Sequence, residues 1–298
     1  MREPDLLLGI DGGGTGCRAR LCAGDGAVLG EGAGGPANLR FGIAETMASV
    51  LAAAHGALQA AGLRPEALAR VAAGMGLAGA SEPALAAAAR AHPLPFARSC
   101  IVTDAAIACR GAHAGADGGI VIVGTGTIGW AILHGREHRV GGWGHPLSDE
   151  GSGAWIGAEA ARLALRAHDG RAAPSALAEA VLARFEGDPH RIVAWMTEAK
   201  PRDVATIAPL VVEAAAAGDA GAIGILRAAG AHVAELAERL VALGAERIAL
   251  LGGLASPLDP YLPAALRPRL AAPRGSALDG ALSLARTLAP DHPGAPMR

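Results

Sequence analysis

Lysine is nearly missing from this sequence: Lys200 is the only one in 298 residues. A P-loop needs G-x-x-x-x-G-K-[ST], and Lys200 stands in EAKPRD, so that way of holding phosphate is excluded. Any nucleotide phosphate must instead be held by backbone amides, hydroxyls, arginine or a metal. Aromatic residues are scarce, with three Phe, four Trp and one Tyr. The net charge of −2 arises from 26 basic and 28 acidic residues spread along the chain. A nucleic-acid binder would show a basic stripe or stacking aromatics; neither is present, so no nucleic-acid partner is expected. The four cysteines, Cys17, Cys22, Cys100 and Cys109, make no CxxC pair and no metal-ligand spacing. They read as reduced thiols, several buried beside strands, in a cytoplasmic protein. Long apolar runs are lacking too. Residues 6–10 are too short for a signal-peptide core. Residues 46–63 carry no charge but are alanine-rich and hold His55 and Gln59. Residues 118–133 are interrupted by Gly and Thr and fall short of the ~20 apolar residues of a membrane span. No membrane association is expected.

What is present is an ordinary globular composition, 51% hydrophobic and 18% charged, in a length that suggests about two domains. The first 35 residues read as a β-meander. Residues 6–10 form a buried strand, 11–15 a glycine-rich turn, 18–23 a second strand, 24–26 a hairpin turn and 27–32 a third strand. Residues 119–142 repeat the plan: strand 120–123, Gly/Thr turn 124–129, strand 130–133, turn 134–136, strand 137–141. Two similar lobes follow, 1–113 and 114–298, with the boundary in the soft segment 111–118. Elsewhere helices are expected at about 43–61, 82–91, 152–168 and 276–288, with several more between 175 and 243. Strands are expected at 71–77, 99–103 and 247–251, and the alternation argues for α/β layers. The last helix could pack back on the N-terminal lobe, and the helix-rich segment 152–243 reads as scaffold and possible dimer surface.

Several turns carry chemistry. In Asp11-Gly12-Gly13-Gly14-Thr15-Gly16, a glycine-rich turn directly after a buried strand aims successive amides at one concavity, which makes an anion nest. Thr15 adds a hydroxyl, and Asp11 could hold Mg²⁺ through water. A plain hairpin is the alternative. Gly124-Thr125-Gly126-Thr127 has the same make-up, and two such turns could clamp a polyphosphate from both sides. Asp104 ends the strand 99–103 before an alanine-rich helix start, where it is either a cap or the base that takes a substrate hydroxyl proton. The loop 141–157, GGWGHPLSDEGSGAWIG, combines glycine, Trp and paired carboxylates as ligand rims do. His145 reads as a loop residue, and Asp149 and Glu150 could simply open the following helix. The strand before Gly252-Gly253 could pack against an adenine ring. Arg18 and Arg20 read as outward-facing, with no role.

Taken in order, GIDGGGT (9–15), GGPANL (34–39), VTDAAIA (102–108), VGTGTIGW (123–130), the 141–157 loop and LLGGLA (250–255) resemble the BadF/BadG/BcrA/BcrD branch of the actin-like ATPase superfamily. Within it they look most like the N-acetylglucosamine and glucosamine kinases. The resemblance implies a two-lobed actin-like, ribonuclease H-like α/β fold with duplicated βββαβα lobes around a nucleotide cleft, and a cytoplasmic homodimer. It implies Mg²⁺·ATP-dependent transfer to the 6-hydroxyl of an amino sugar. Asp104 would be the catalytic base, and Asp11 would position Mg²⁺. Gly13, Gly14, Thr15, Thr125, Gly126 and Thr127 would hold phosphates, and Gly252 and Gly253 the adenosine. Asn38, Gly142, Trp143 and Asp149, with Asp104, would line the sugar site. Gly16-Cys17 departs from the Lys or Ser that many relatives carry after the turn threonine. The CxCGxxGC zinc motif of the ROK sugar kinases is absent, so no structural metal is expected. The same branch holds ATPases that activate acyl-CoA reductases and dehydratases, which need cysteines in the second lobe; here none follows Cys109. A non-catalytic nucleotide-binding regulator is the other alternative.

Overall fold

The computed structural model describes residues 4–288 and consists of two α/β units. The first runs to Asp117 and takes up the chain again from Pro273; the second is Gly118–Ala272. The division thus falls a few residues beyond 113, and the C-terminal helix belongs with the first unit.

In the first unit β1 (Leu6–Gly12), β2 (Cys17–Ala23) and β3 (Val28–Gly34) form an antiparallel meander. After α1 (Ile43–Ala60), β4 (Val71–Leu77) pairs parallel with β1. After α2 (Pro83–Ala91), β5 (Arg98–Thr103) extends the sheet, giving the order β3-β2-β1-β4-β5. The core strands β1 and β4 are buried along most of their length, which explains their unbroken apolar runs. β3 reads differently. Its glycines lie against α1: a Cβ on Gly30 or Gly32 would run into the α1 backbone at Ala57 and Ala53. This strand therefore uses glycine to bring a helix close. α3 (Asp104–Ala112) and α11 (Ala277–Arg286) cover the opposite face, where a Cβ on Gly9 would stand 2.8 Å from the Leu278 carbonyl.

The second unit repeats the plan. β6 (Gly118–Val123), β7 (Thr127–Leu133) and β8 (Arg136–Gly141) form the meander, and β9 (Ile248–Leu251) pairs parallel with β6, in the order β8-β7-β6-β9. That matches β3-β2-β1-β4 strand for strand. Between β8 and β9 lie α4 (Gly153–His168), α5 (Ala176–Arg184), α6 (Pro189–Glu198), α7 (Pro201–Val204), α8 (Ala208–Ala216) and α9 (Ala220–Ala242). The short α10 (Ala255–Leu258) follows β9. One continuous core joins the sheet residues Val121 and Val123 to α4, α5, α8 and α9. No single helix among the described residues is long and apolar enough to cross a membrane.

The expected elements all exist, with ends shifted by at most three residues. The largest shift is at β7, expected from 130 and beginning at Thr127.

Candidate functional site

In both units the glycine turns sit at the carboxyl ends of parallel strands, the edge where open α/β sheets present ligands. In the first unit the turn spans Gly13–Gly16, closed by a Gly13 N–H to Gly16 carbonyl bond of 2.9 Å. Gly14 and Thr15 are exposed, and a Cβ built on Gly14 would meet nothing within 4 Å. The Gly13 carbonyl accepts from Ala37 N–H (2.8 Å) and the Gly12 carbonyl from Ala78 N–H (2.9 Å). The Ala37 bond docks the 34–39 loop on the turn, and the Ala78 bond continues the pairing of β1 with β4. Asn38 forms a bridge with Ala78, and its Oδ1 accepts from Arg40 N–H at 3.0 Å, capping the short helix Leu39–Phe41.

Asp104 stands one residue past β5. The cap of α3 is Thr103, whose Oγ1 accepts from Ala106 N–H at 3.0 Å. Asp104 is the first helical residue, and its Oδ1 accepts from Ala105 N–H at 3.0 Å. The capping reading of Asp104 therefore passes to its neighbour, because the hydroxyl of Thr103 reaches the helix amide first. Burial pushes the Asp104 carboxyl above the usual carboxylate range; the Ala105 amide opposes this and the negative charge of Asp11 adds to it. Two acidic side chains thus share one neighbourhood beside an open amide turn.

Arg18 corrects the sequence expectation. β1 and β2 pair Asp11 with Arg18 across the hairpin, and Arg18 Nη2 donates to Asp11 Oδ2 at 2.7 Å. Counting the register from the turn would have found this pair. Arg20, also expected to have no role, is half-buried and bridges Glu31 (2.6 Å) and Asp279 (2.8 Å). Cys17, which follows the first turn, packs inside; burial, then the charge of Asp11, raises its thiol to about 12. It is a core residue rather than a reactive one.

The second turn is shorter and more tightly supported. Gly124–Gly126 links Val123 to Thr127, with Gly124 N–H donating to the Gly126 carbonyl at 2.9 Å. The Gly124 and Thr125 carbonyls accept from Gly153 (2.8 Å) and Ala154 (3.2 Å), so this turn holds the first turn of α4. Ser152 caps the helix through Trp155 N–H at 3.1 Å. Thr125 is exposed, whereas Thr127 lies in β7 rather than the turn, its hydroxyl buried with no hydrogen-bond partner.

Asp149 is drawn to this turn. A Cβ on Gly126 would stand 2.5 Å from Asp149 Oδ2, and Asp149 Oδ1 accepts from Gly144 N–H at 3.2 Å. Its backbone is left-handed, φ 66°, an uncommon conformation for a residue with a Cβ. Burial raises its carboxyl above the ordinary range, opposed chiefly by the Gly144 amide. Asp149 is therefore a loop residue against the turn, not part of α4. Trp143 is 74% exposed, and the Arg139 guanidinium lies 4.1 Å from its ring centre. Arg139 also donates to the Gly141 and Gly142 carbonyls, clamping the loop; the sequence reading overlooked it. Gly252 (φ 95°) packs on the end of β6, where Leu254 N–H reaches the Val123 carbonyl at 3.1 Å. Gly252, exposed Gly253 and the 124–126 turn thus share one edge of the second sheet.

Among the described residues no cluster of three or more His, Cys, Asp or Glu side chains could hold a metal unaided. The donors that are present, Asp11 and Asp104, suit a hard cation that keeps most of its water, and a cation there would relieve the repulsion between them.

The sequence pattern of the BadF/BadG/BcrA/BcrD ATPase family matches residues 8–261. The glucosamine kinase of Vibrio cholerae is 36% identical over 288 residues, 97% of each chain. A Chromobacterium violaceum structure, provisionally named an N-acetylglucosamine kinase, superposes with a TM-score of 0.87 at 41% identity, over 95% of this chain and 99% of that one. The ROK-family glucokinase of Streptomyces griseus shares the fold at a TM-score of 0.55 and 19% identity, over 96% of this chain and 100% of that one. With the duplicated sheets, the two glycine turns and a match that runs through both units, the chain belongs to the BadF/BadG/BcrA/BcrD ATPase family.

Proposed function

We propose that this protein is an ATP-dependent sugar kinase that phosphorylates an amino sugar, glucosamine or N-acetylglucosamine, at its 6-hydroxyl. The observation that carries the reading is the relationship to a glucosamine kinase along nearly the full length of both chains. The chemistry of the sites agrees with it.

Asp104 is the proposed catalytic base. A carboxylate whose proton affinity is raised by burial accepts a hydroxyl proton more readily than an exposed one, and it sits at a strand end beside an open amide turn. The amides of Gly13 and Gly14 and the Thr15 hydroxyl bind phosphate oxygens, as do the Gly126 amide and Thr125 hydroxyl. Thr127, its hydroxyl buried and unpartnered, completes that set. Gly252 and Gly253 leave room for the adenosine. Asn38, through its side-chain amide, and Asp149, Gly142 and Trp143 orient the sugar, together with Asp104. Asp11 holds Mg²⁺ through water while Arg18 orients its carboxylate. Mg²⁺, when bound, neutralises charge on the transferring phosphoryl group. The protein acts as a cytoplasmic homodimer.

The test is ADP release, measured by a coupled assay, with Mg²⁺·ATP against glucosamine, N-acetylglucosamine, glucose and N-acetylmannosamine. Turnover that depends on one of the two proposed amino sugars is expected. ATP hydrolysis indifferent to every sugar would overturn the kinase reading.

A further inference from the structure

The first unit contains a cavity of about 350 Å³ lined by β2, α3, α11 and the segment before α11. No residue of the Gly13–Gly16 turn lines it, nor does Asp104. Four arginines do: Arg20, Arg110, Arg274 and Arg286. In a chain with one lysine, this concentration of guanidinium groups calls for an account.

Pairing among the described residues does not supply one. Among the described lining residues Asp279 is the only carboxylate. Its Oδ2 accepts from the Ser276 amide and hydroxyl, both at 2.7 Å, and its Oδ1 from Arg20 at 2.8 Å. Arg20 is held further by Glu31. Asp279 is thus fully engaged in capping α11 and fixing Arg20. Arg110 Nε is buried with no hydrogen-bond partner, although a buried N–H left unmade carries a desolvation penalty. Arg286 reaches over Gly26, where a Cβ would stand 2.6 Å from its Nη2, so the glycine (φ 96°) clears space for the guanidinium. Ser283 adds a hydroxyl to the wall. Guanidinium groups that line one cavity, with one buried donor unmet, match the oxygens of a phosphate group, which accept two parallel N–H bonds per guanidinium.

We propose that this cavity is a second anion site, taking a small phosphate-bearing metabolite, separate from the glycine turns that handle the substrates. It places a phosphate within reach of Arg110, Arg274 and Arg286, while Arg20 stays paired with its carboxylates. The inference does not depend on the kinase reading, since it rests on the cavity alone.

The experiment is titration calorimetry of the full chain with inorganic pyrophosphate in Mg²⁺-free buffer, on the unmodified protein and on Arg110→Gln and Arg274→Gln. Each charge-assisted bond lost should weaken binding by about tenfold or more. Sugar-dependent ATP turnover without added pyrophosphate should be unchanged in both variants. Equal pyrophosphate affinity in all three proteins would overturn the proposal, because binding at the glycine turns alone survives these substitutions. Should either glutamine variant fail to fold, a tungstate-soaked crystal of the unmodified protein decides. Anomalous density beside Arg110 supports the site, and density only at the glycine turns overturns it.

Discussion

The two glycine turns occupy equivalent places in two sheets of matching strand order, yet they are built differently. The first joins its strands through four residues, Gly13–Gly16, and at Gly14 it borders open space. The second uses three, Gly124–Gly126, and is wedged between the Asp149 carboxylate and the first turn of α4. A repeated motif thus sets where backbone amides are exposed, while its neighbours decide how freely the turn can adjust. The open turn has Asp11 and Asp104 near it, and the wedged turn positions a loop. If the comparison holds, the first should be sensitive to charge and the second to shape.

Removing the Asp104 charge should give the largest effect. Asp104→Asn should lower kcat by about 10²–10⁴, the usual worth of a general base. Because the folded protein raises the proton affinity of this carboxyl, holding it ionised opposes folding at neutral pH. The amide variant should therefore melt slightly higher than the parent at pH 7. Full activity in this variant would remove Asp104 from the mechanism.

Shape should matter next. In Gly126→Ala the new methyl must displace the Asp149 carboxylate, and a misplacement of this size can cost about 10²-fold in turnover. Gly14→Ala meets no neighbour and should leave the melting temperature unchanged within about 0.5 kcal/mol of stability. Steady-state rates and thermal melts of the two variants side by side would break the comparison if Gly14→Ala were the worse.

The pH profile gives a subtler contrast. Asp104 must be ionised to accept a proton, so kcat/KM should fall as pH drops through its raised value, with the acid limb above the ordinary aspartate range. An acid limb at the position of an unperturbed carboxyl would contradict its burial.

Arg18→Ala should also have little effect on folding. The Arg18–Asp11 pair has a largely exposed guanidinium, 68%, so its loss should change stability by less than about 1 kcal/mol. Its consequence should appear instead as a higher Mg²⁺ requirement for turnover. An unchanged Mg²⁺ dependence would show that Asp11 needs no such orientation.

The strand–turn–strand repeat, the α/β alternation and the positions of both turns are legible in the order of residues alone. These follow from local rules: two-residue alternation, apolar runs and glycine where the backbone must turn tightly. That order also made Asp104 and Asp149 candidates, as carboxylates at element ends. Tertiary structure alone decided which neighbour each would answer to. Thr103 rather than Asp104 caps α3, Asp149 turns toward Gly126 instead of opening α4, and the exposed Arg18 pairs with Asp11 across the hairpin. The glycines of β3 look like weak strand formers until α1 lies on them. The cluster around Asp279 joins residues more than 250 positions apart, Arg20 to Asp279 among them. No local period encodes such contacts, because they exist only once the C-terminal helix has returned to the first sheet and brought distant charges together.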